Sequence, residues 1–201
     1  MSRSIARHAC RPILALLLLP ACAGAEVLNY DYVYLSKEGA ASGQSGGGNG
    51  TAGGFKSLGQ HTHVFLSYDD TAFYAGSHEN WDYDLKTWRV GAGGHYLIGT
   101  KTMIAPSFAI FRSRGEVKAP TWASSRGLSG NGTILELDVR HAVTHWLELV
   151  GGARRTRFQD ESWSELVGGV LVHPNDRWAL GVLYHDREDE RSTELTLRYY
   201  Y

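Results

Sequence analysis

The stretch Thr133-Ile134-Leu135-Glu136-Leu137-Asp138-Val139-Arg140 alternates apolar and charged residues from Leu135 to Arg140. Its odd positions are Thr, Leu, Leu and Val; its even positions from 136 are Glu, Asp and Arg. Successive side chains of a strand point to opposite faces, so this segment has one apolar and one charged face. A helix would scatter the same residues around its whole circumference.

The period recurs on both sides of that stretch. Trp88, Val90, Ala92, Gly94 and Tyr96 alternate with Arg89, Gly91, Gly93 and His95. Leu147, Leu149, Gly151 and Ala153 alternate with Glu148, Val150, Gly152 and Arg154. Trp178, Leu180, Val182 and Tyr184 alternate with Ala179, Gly181, Leu183 and His185, and Leu195, Leu197, Tyr199 and Tyr201 with Glu194, Thr196, Arg198 and Tyr200. Less regular segments cover 26–36, 55–68, 71–79, 102–114 and 162–173. Ten strands are therefore predicted, with eight as the alternative if the weak pair 55–68 and 71–79 fails. Tight turns are expected at Asp69-Asp70, Ile98–Lys101, Ala142–Thr144 and Pro174–Asp176, and longer connections at 37–53, 80–86, 115–129, 158–161 and 188–191. Short turns at one end and longer loops at the other, with an even strand count, are the layout of a membrane barrel whose termini share the short-turn side.

Alternation alone also suits a soluble barrel with its apolar face inside. Three features favour lipid. The pattern runs through almost the whole chain without a set of fully apolar core strands. Trp88, Tyr96, Trp146 and Trp178 fall near predicted strand ends, where interfacial girdles need aromatic residues. The chain also stops on a strand, and a sheet in a bilayer has to close because no water is present to satisfy an edge. The fold class is all-β, a single antiparallel transmembrane β-barrel. Its second face would then point Glu136, Asp138, Arg140, Glu148 and Arg154 into a shared lumen, where opposite charges can pair and fill the interior. A ten-stranded barrel lies close to the eight-stranded size that side chains fill, so a plugged lumen is preferred to a narrow channel.

At 201 residues the chain suits one domain, and 20% charged residues against 43% hydrophobic ones exclude a disordered composition. Residues 1–25 read as a signal peptide: Arg3, Arg7 and Arg11, then an apolar run from Ile13 to Leu19, then Ala23-Gly24-Ala25 as the cleavage site. Leu19-Pro20-Ala21-Cys22 loosely matches a lipoprotein box that would acylate Cys22, although Pro20 fits it poorly. Residues 26–201 form the barrel. Cleavage would remove three arginines and both cysteines, taking Lys+Arg from 20 to 17 against 21 acidic residues and the net charge from −1 to −4. That excludes a disulfide scaffold and gives no support to nucleic-acid binding. No stretch after residue 25 is long and apolar enough for a spanning helix.

The ending Leu195-Thr196-Leu197-Arg198-Tyr199-Tyr200-Tyr201 resembles the C-terminal assembly signal of Gram-negative outer-membrane proteins, with tyrosine where phenylalanine is usual. The resemblance implies recognition by the barrel-assembly machinery through Leu195, Leu197, Tyr199 and Tyr201, a place in the outer membrane and contact with its lipids. Asn29-Tyr30-Asp31-Tyr32-Val33 and Trp88-Arg89-Val90-Gly91-Ala92-Gly93, with the order of hairpins, are similar to those of small Omp-like barrels. Some members of that group are described as diffusible-signal or quorum-related factors, a role that no residue here carries. The Gly-rich segment after Ser36 and the basic run Arg154-Arg155-Thr156-Arg157 depart from the group.

Other constellations are weaker. His61-Thr62-His63 places two imidazoles on one face if extended, an incomplete metal set. Ser77-His78-Glu79 with Asp82 and Asp84 suggests a rim hydrolase, but neighbouring strand residues point to opposite faces and cannot pair directly. The expectation is a structural or surface-interacting barrel, with no catalytic residue, metal or cofactor assigned. A narrow channel or a barrel enzyme acting on lipid or peptide are the alternatives.

Overall fold

The computed structural model describes residues 28–39, 47–75, 81–118, 126–187 and 190–201. Every regular element among them is a strand. The elements are β1 (Tyr32–Gly39), β2 (Gly47–Ser57), β3 (Thr62–Ala75), β4 (Trp81–Gly94), β5 (Tyr96–Ile98), β6 (Thr102–Lys118), β7 (Arg126–Ala142), β8 (Leu147–Phe158), β9 (Glu161–Asn175), β10 (Trp178–Arg187) and β11 (Glu190–Tyr200). The short β5 continues β4 beyond His95, so the sheet has ten staves. Each neighbour is antiparallel, and β4 pairs with β6 while β1 pairs with β11, which closes the barrel. The ten-stave count holds and the eight-strand alternative does not.

The faces distribute as a bilayer requires. Leu35, Leu135 and Leu195 point outward and are 61%, 60% and 62% exposed, whereas Leu171 and Glu148 inside are 0% exposed. Exposed large apolar side chains on β1, β3, β4, β6, β7, β9, β10 and β11 make an outward apolar surface that far exceeds the few hundred Å² a soluble monomer tolerates.

Two predicted boundaries are corrected. Asp69 and Asp70 do not form a turn; both lie inside β3, and the connection from β2 is Leu58–His61, closed by the Leu58 amide donating to the Thr62 carbonyl at 2.9 Å. Asp69 is tolerated there because it faces the lumen, where Thr51 Oγ1 donates to it at 2.8 Å. The expected loop 37–53 is also mostly strand: Gly47–Ser57 is a full stave between β1 and β3. Backbone groups make the ladder, so a Gly-rich segment can pair without showing any side-chain alternation. Gly53 has a packing reason as well, since a Cβ there would lie 2.6 Å from the Tyr34 ring. These two errors offset one another in the strand count. The expected loops 80–86 and 115–129 shrink likewise, because β4, β6 and β7 run 14, 17 and 17 residues. Residues 1–27, where the sequence predicts the signal peptide and its Cys22 lipidation alternative, lie outside the described residues, as do Ser77, His78 and Glu79.

The closing seam joins the chain ends. Leu35 lies opposite Leu197 and Val33 opposite Tyr199, while the Tyr201 amide donates to the Asp31 carbonyl at 3.2 Å. Asp31 in turn accepts from Lys56 Nζ at 2.6 Å and from the Ser57 amide at 2.5 Å.

Candidate functional site

The lumen carries the chemistry. Because β7 and β8 form a hairpin, the inward residues of both strands sit side by side. Nearest the short-turn end, the guanidinium of Arg140 meets the carboxylate of Glu148 through two hydrogen bonds, with Nη2 donating to Oε2 at 2.9 Å and Nε to Oε1. The same guanidinium donates to Tyr200 Oη at 3.1 Å and to the Asn29 carbonyl at 2.9 Å, and His173 Nε2 lies 3.1 Å from Glu148. Tyr30, Tyr32 and Tyr200 surround the cation, their ring centroids 5.8–6.0 Å from Arg140 Cζ. Phe55 fills the next gap, stacking on Tyr32 at 4.9 Å and on Phe65 at 4.9 Å. Charge and rings together form a floor across the barrel.

A second level lies towards the loop end. Arg154 Nη2 donates to Glu136 at 2.6 Å, and Nη1 is 3.6 Å from Glu165. Glu165 also meets His185 Nδ1 at 2.5 Å and Arg187 at 3.4 Å, and the other nitrogen of His185 is 3.0 Å from Glu194. Across the lumen Arg89 lies 3.5 Å from Asp69. Between the two levels Asp138 and Arg198 line a polar cavity of about 170 Å³. Above the second level a wider cavity of about 330 Å³ has Arg89, Arg154 and Glu165 at its base and Leu85, Phe111 and Trp163 in its wall. The result is a closed floor beneath a cup.

The other sequence candidates fall elsewhere. Leu195, Leu197, Tyr199 and Tyr201 alternate outward on and just beyond β11, with Tyr199 packed on Trp178 at 4.9 Å. Tyr96, Trp146 and Trp178 stand exposed at the short-turn end, and Trp88 faces outward farther up beside Tyr68 at 4.8 Å. His61 and His63 do not share a face. His61 stacks outside on Tyr96, while His63 is buried inside against Tyr30 and His95. The reason is that His61 still belongs to the turn and only Thr62 begins the strand. No group of three or more metal-ligating side chains occurs among the described residues. Asp82 pairs in register with Lys118 and Asp84 with Glu116. Reading the sequence by hairpins missed Glu165, His173, His185 and Tyr200 as partners; their inward parity was visible, but which strand faces them across the lumen was not.

The fold is that of the outer-membrane β-barrels. The chain superposes on the KdgM porin with a TM-score of 0.52 at 10% identity, covering 85% of this chain and 99% of that one. Neisserial surface protein A gives 0.48 at 15% identity over 89% and 100%. LpxR from Salmonella typhimurium gives 0.49 at 7% over 85% and 100%. No protein-family model matches the chain, and no curated protein matches it in sequence.

Proposed function

We propose that this chain is an outer-membrane barrel, exported through a cleaved signal peptide at residues 1–25 and assembled through its C-terminal strand, with a filled lumen and a structural or surface-interacting role. The short-turn end, which holds both described termini, faces the periplasm, and the cup opens to the exterior. The observation that supports this most is the Arg140–Glu148 level. Two paired charges and three tyrosines lie across the barrel where a channel would need water. Ten staves give a circumference that such side chains can span.

Planar-bilayer recording of the full chain tests the reading. Current at baseline is the expected result. Steady single-channel steps that change when Arg140 or Arg154 is replaced by alanine would overturn it in favour of a narrow channel. A hydrolase would instead need a nucleophile and base near the loop rim. Among the described residues, the hydroxyl–imidazole hydrogen bond of Thr102 Oγ1 with His141 Nδ1 at 2.9 Å belongs to the short-turn end, and Ser77, His78 and Glu79 lie outside the described residues.

A further inference from the structure

The arginines of the outer wall contrast with those of the lumen. Arg140 and Arg154 inside are held by carboxylates. On the outside of β6 and β8, Arg112, Arg114 and Arg157 are exposed and make no ion pair among the described residues. Arg155, their neighbour on β8, donates only to Ser162 and Ser164, at 2.6 and 2.8 Å. The basic run Arg154-Arg155-Thr156-Arg157 is thus divided by strand parity: Arg154 serves the lumen, and Arg155 and Arg157 serve the wall.

Their height is set by the strands. Arg112 is ten residues above Thr102, the start of β6, and Arg157 is ten above Leu147, the start of β8. At about 3.3 Å per residue and a tilt of about 40°, ten residues climb roughly 25 Å, the height of the apolar band. Both guanidinium groups therefore stand at its upper edge. Directly beneath Arg112 an external groove of about 620 Å³ runs between staves, lined by Leu66, Trp88, Val90 and Ile110 and ending at Asn131 and Thr133. Thr133 is shared with a second depression of about 510 Å³ that contains Leu135, Arg155, Arg157 and Ser162. Acidic groups are near: Asp160 and Glu161 border the second depression, Asp70 lies opposite Lys86, and Asp84 and Glu116 form the next row up. None of them pairs with Arg112 or Arg157.

We propose that this face of β4, β6, β7 and β8 is a docking site for a phosphate-bearing acyl lipid. An acyl chain lies along Leu66, Trp88, Val90 and Ile110, and the phosphate accepts hydrogen bonds from Arg112 and Arg157. Charge complementarity selects that occupant. An apolar groove accepts any chain, but guanidinium groups without a carboxylate partner at its lip favour an anion that presents two oxygens to the guanidinium fork, as a tetrahedral phosphate does. The site rests on the membrane reading above and adds a ligand chemistry and a place to it.

The test is native mass spectrometry of the full chain in dodecyl maltoside micelles with bisphosphorylated lipid A, with the same lipid stripped of phosphate, and with inorganic phosphate alone. Retention of the phosphorylated lipid is expected, falling about tenfold or more when Arg112→Gln and Arg157→Gln are combined. Trp88→Ala should weaken retention while leaving the preference for phosphate. Equal retention of the phosphate-free lipid, unchanged retention in the double variant, or full competition by inorganic phosphate would each overturn the site. Both arginines are solvent-facing, so the variants should keep the gel shift between unheated and boiled samples; if the double variant loses it, Arg112→Lys alone decides, because it keeps the charge and removes the two-pronged contact. Failure of the membrane reading is distinguishable, since the wild-type chain would then stay soluble without detergent and show no shift on boiling.

Discussion

Arg140 and Glu148 are diagonal neighbours across the β7–β8 hairpin, guanidinium to carboxylate, with side chains only 3% and 0% exposed. A pair so fully removed from solvent adds little net stability, but breaking it leaves a buried charge with no partner. Glu148→Ala is therefore expected to cost about 3–5 kcal/mol. Urea unfolding in detergent micelles measures it, and a loss below about 1 kcal/mol would contradict the floor described above.

Arg154 is shared by Glu136 and Glu165, so these three positions should not behave independently. Replacing Arg154 leaves two carboxylates facing each other, and replacing Glu136 as well relieves that repulsion. A double-mutant cycle over Arg154→Ala and Glu136→Gln should return a coupling of about 0.5–3 kcal/mol. Strict additivity would mean that the contact does not persist in the folded barrel.

Glycines of the barrel wall differ sharply in the space around them: Gly91 faces the lumen, whereas Gly168 shares the outward face of β9 with Leu166 and Val170. A Cβ on Gly91 would lie 2.3 Å from Phe65 Cζ and 2.6 Å from the Phe108 carbonyl oxygen, whereas nothing lies within 4 Å of one on Gly168. Gly91→Ala should cut the yield of the heat-shifting folded band on a gel, and Gly168→Ala should leave it near wild type. Equal yields would show that the β4 wall is looser than this packing implies.

At the seam, burial opposes ionisation of Asp31, yet the hydrogen bonds from Lys56 and the Ser57 amide prevail and hold its carboxyl below the ordinary carboxylate range. A depressed folded-state value contributes stability above the unfolded-state pKa, and that contribution disappears as pH falls through the folded value. Wild type should thus exceed Asp31→Asn in unfolding midpoint at neutral pH, with the gap closing under acid. A gap that does not change with pH would assign the effect to packing instead.

The segments that sequence reading misplaced share a physical cause. Glycines 47, 48, 50, 53 and 54 display no alternating side chains, so β2 reads as a linker although its backbone completes ladders on both sides. Asp69-Asp70 looks like a turn because two adjacent carboxylates suit water. Inside the barrel, Asp69 finds Thr51 and Arg89 within the lumen, and Asp70 sits outward opposite Lys86. In both cases the stabilising groups come from other strands, which no local window contains.

Period-two alternation determined that the chain is a closed all-β barrel and on which face each residue of 133–140, 147–154 and 178–185 falls, because strand parity is a local property. Inward parity likewise placed Glu136, Asp138, Arg140, Glu148 and Arg154 on one surface. What only the tertiary structure decided is who meets whom across the lumen: Arg140 with Tyr200 sixty residues away, and Glu165 with His185. Closure of β1 onto β11 brings the two ends of the chain together, and the curvature it imposes turns a charged face into a set of specific pairs. The pattern of one strand carries no information about that distance.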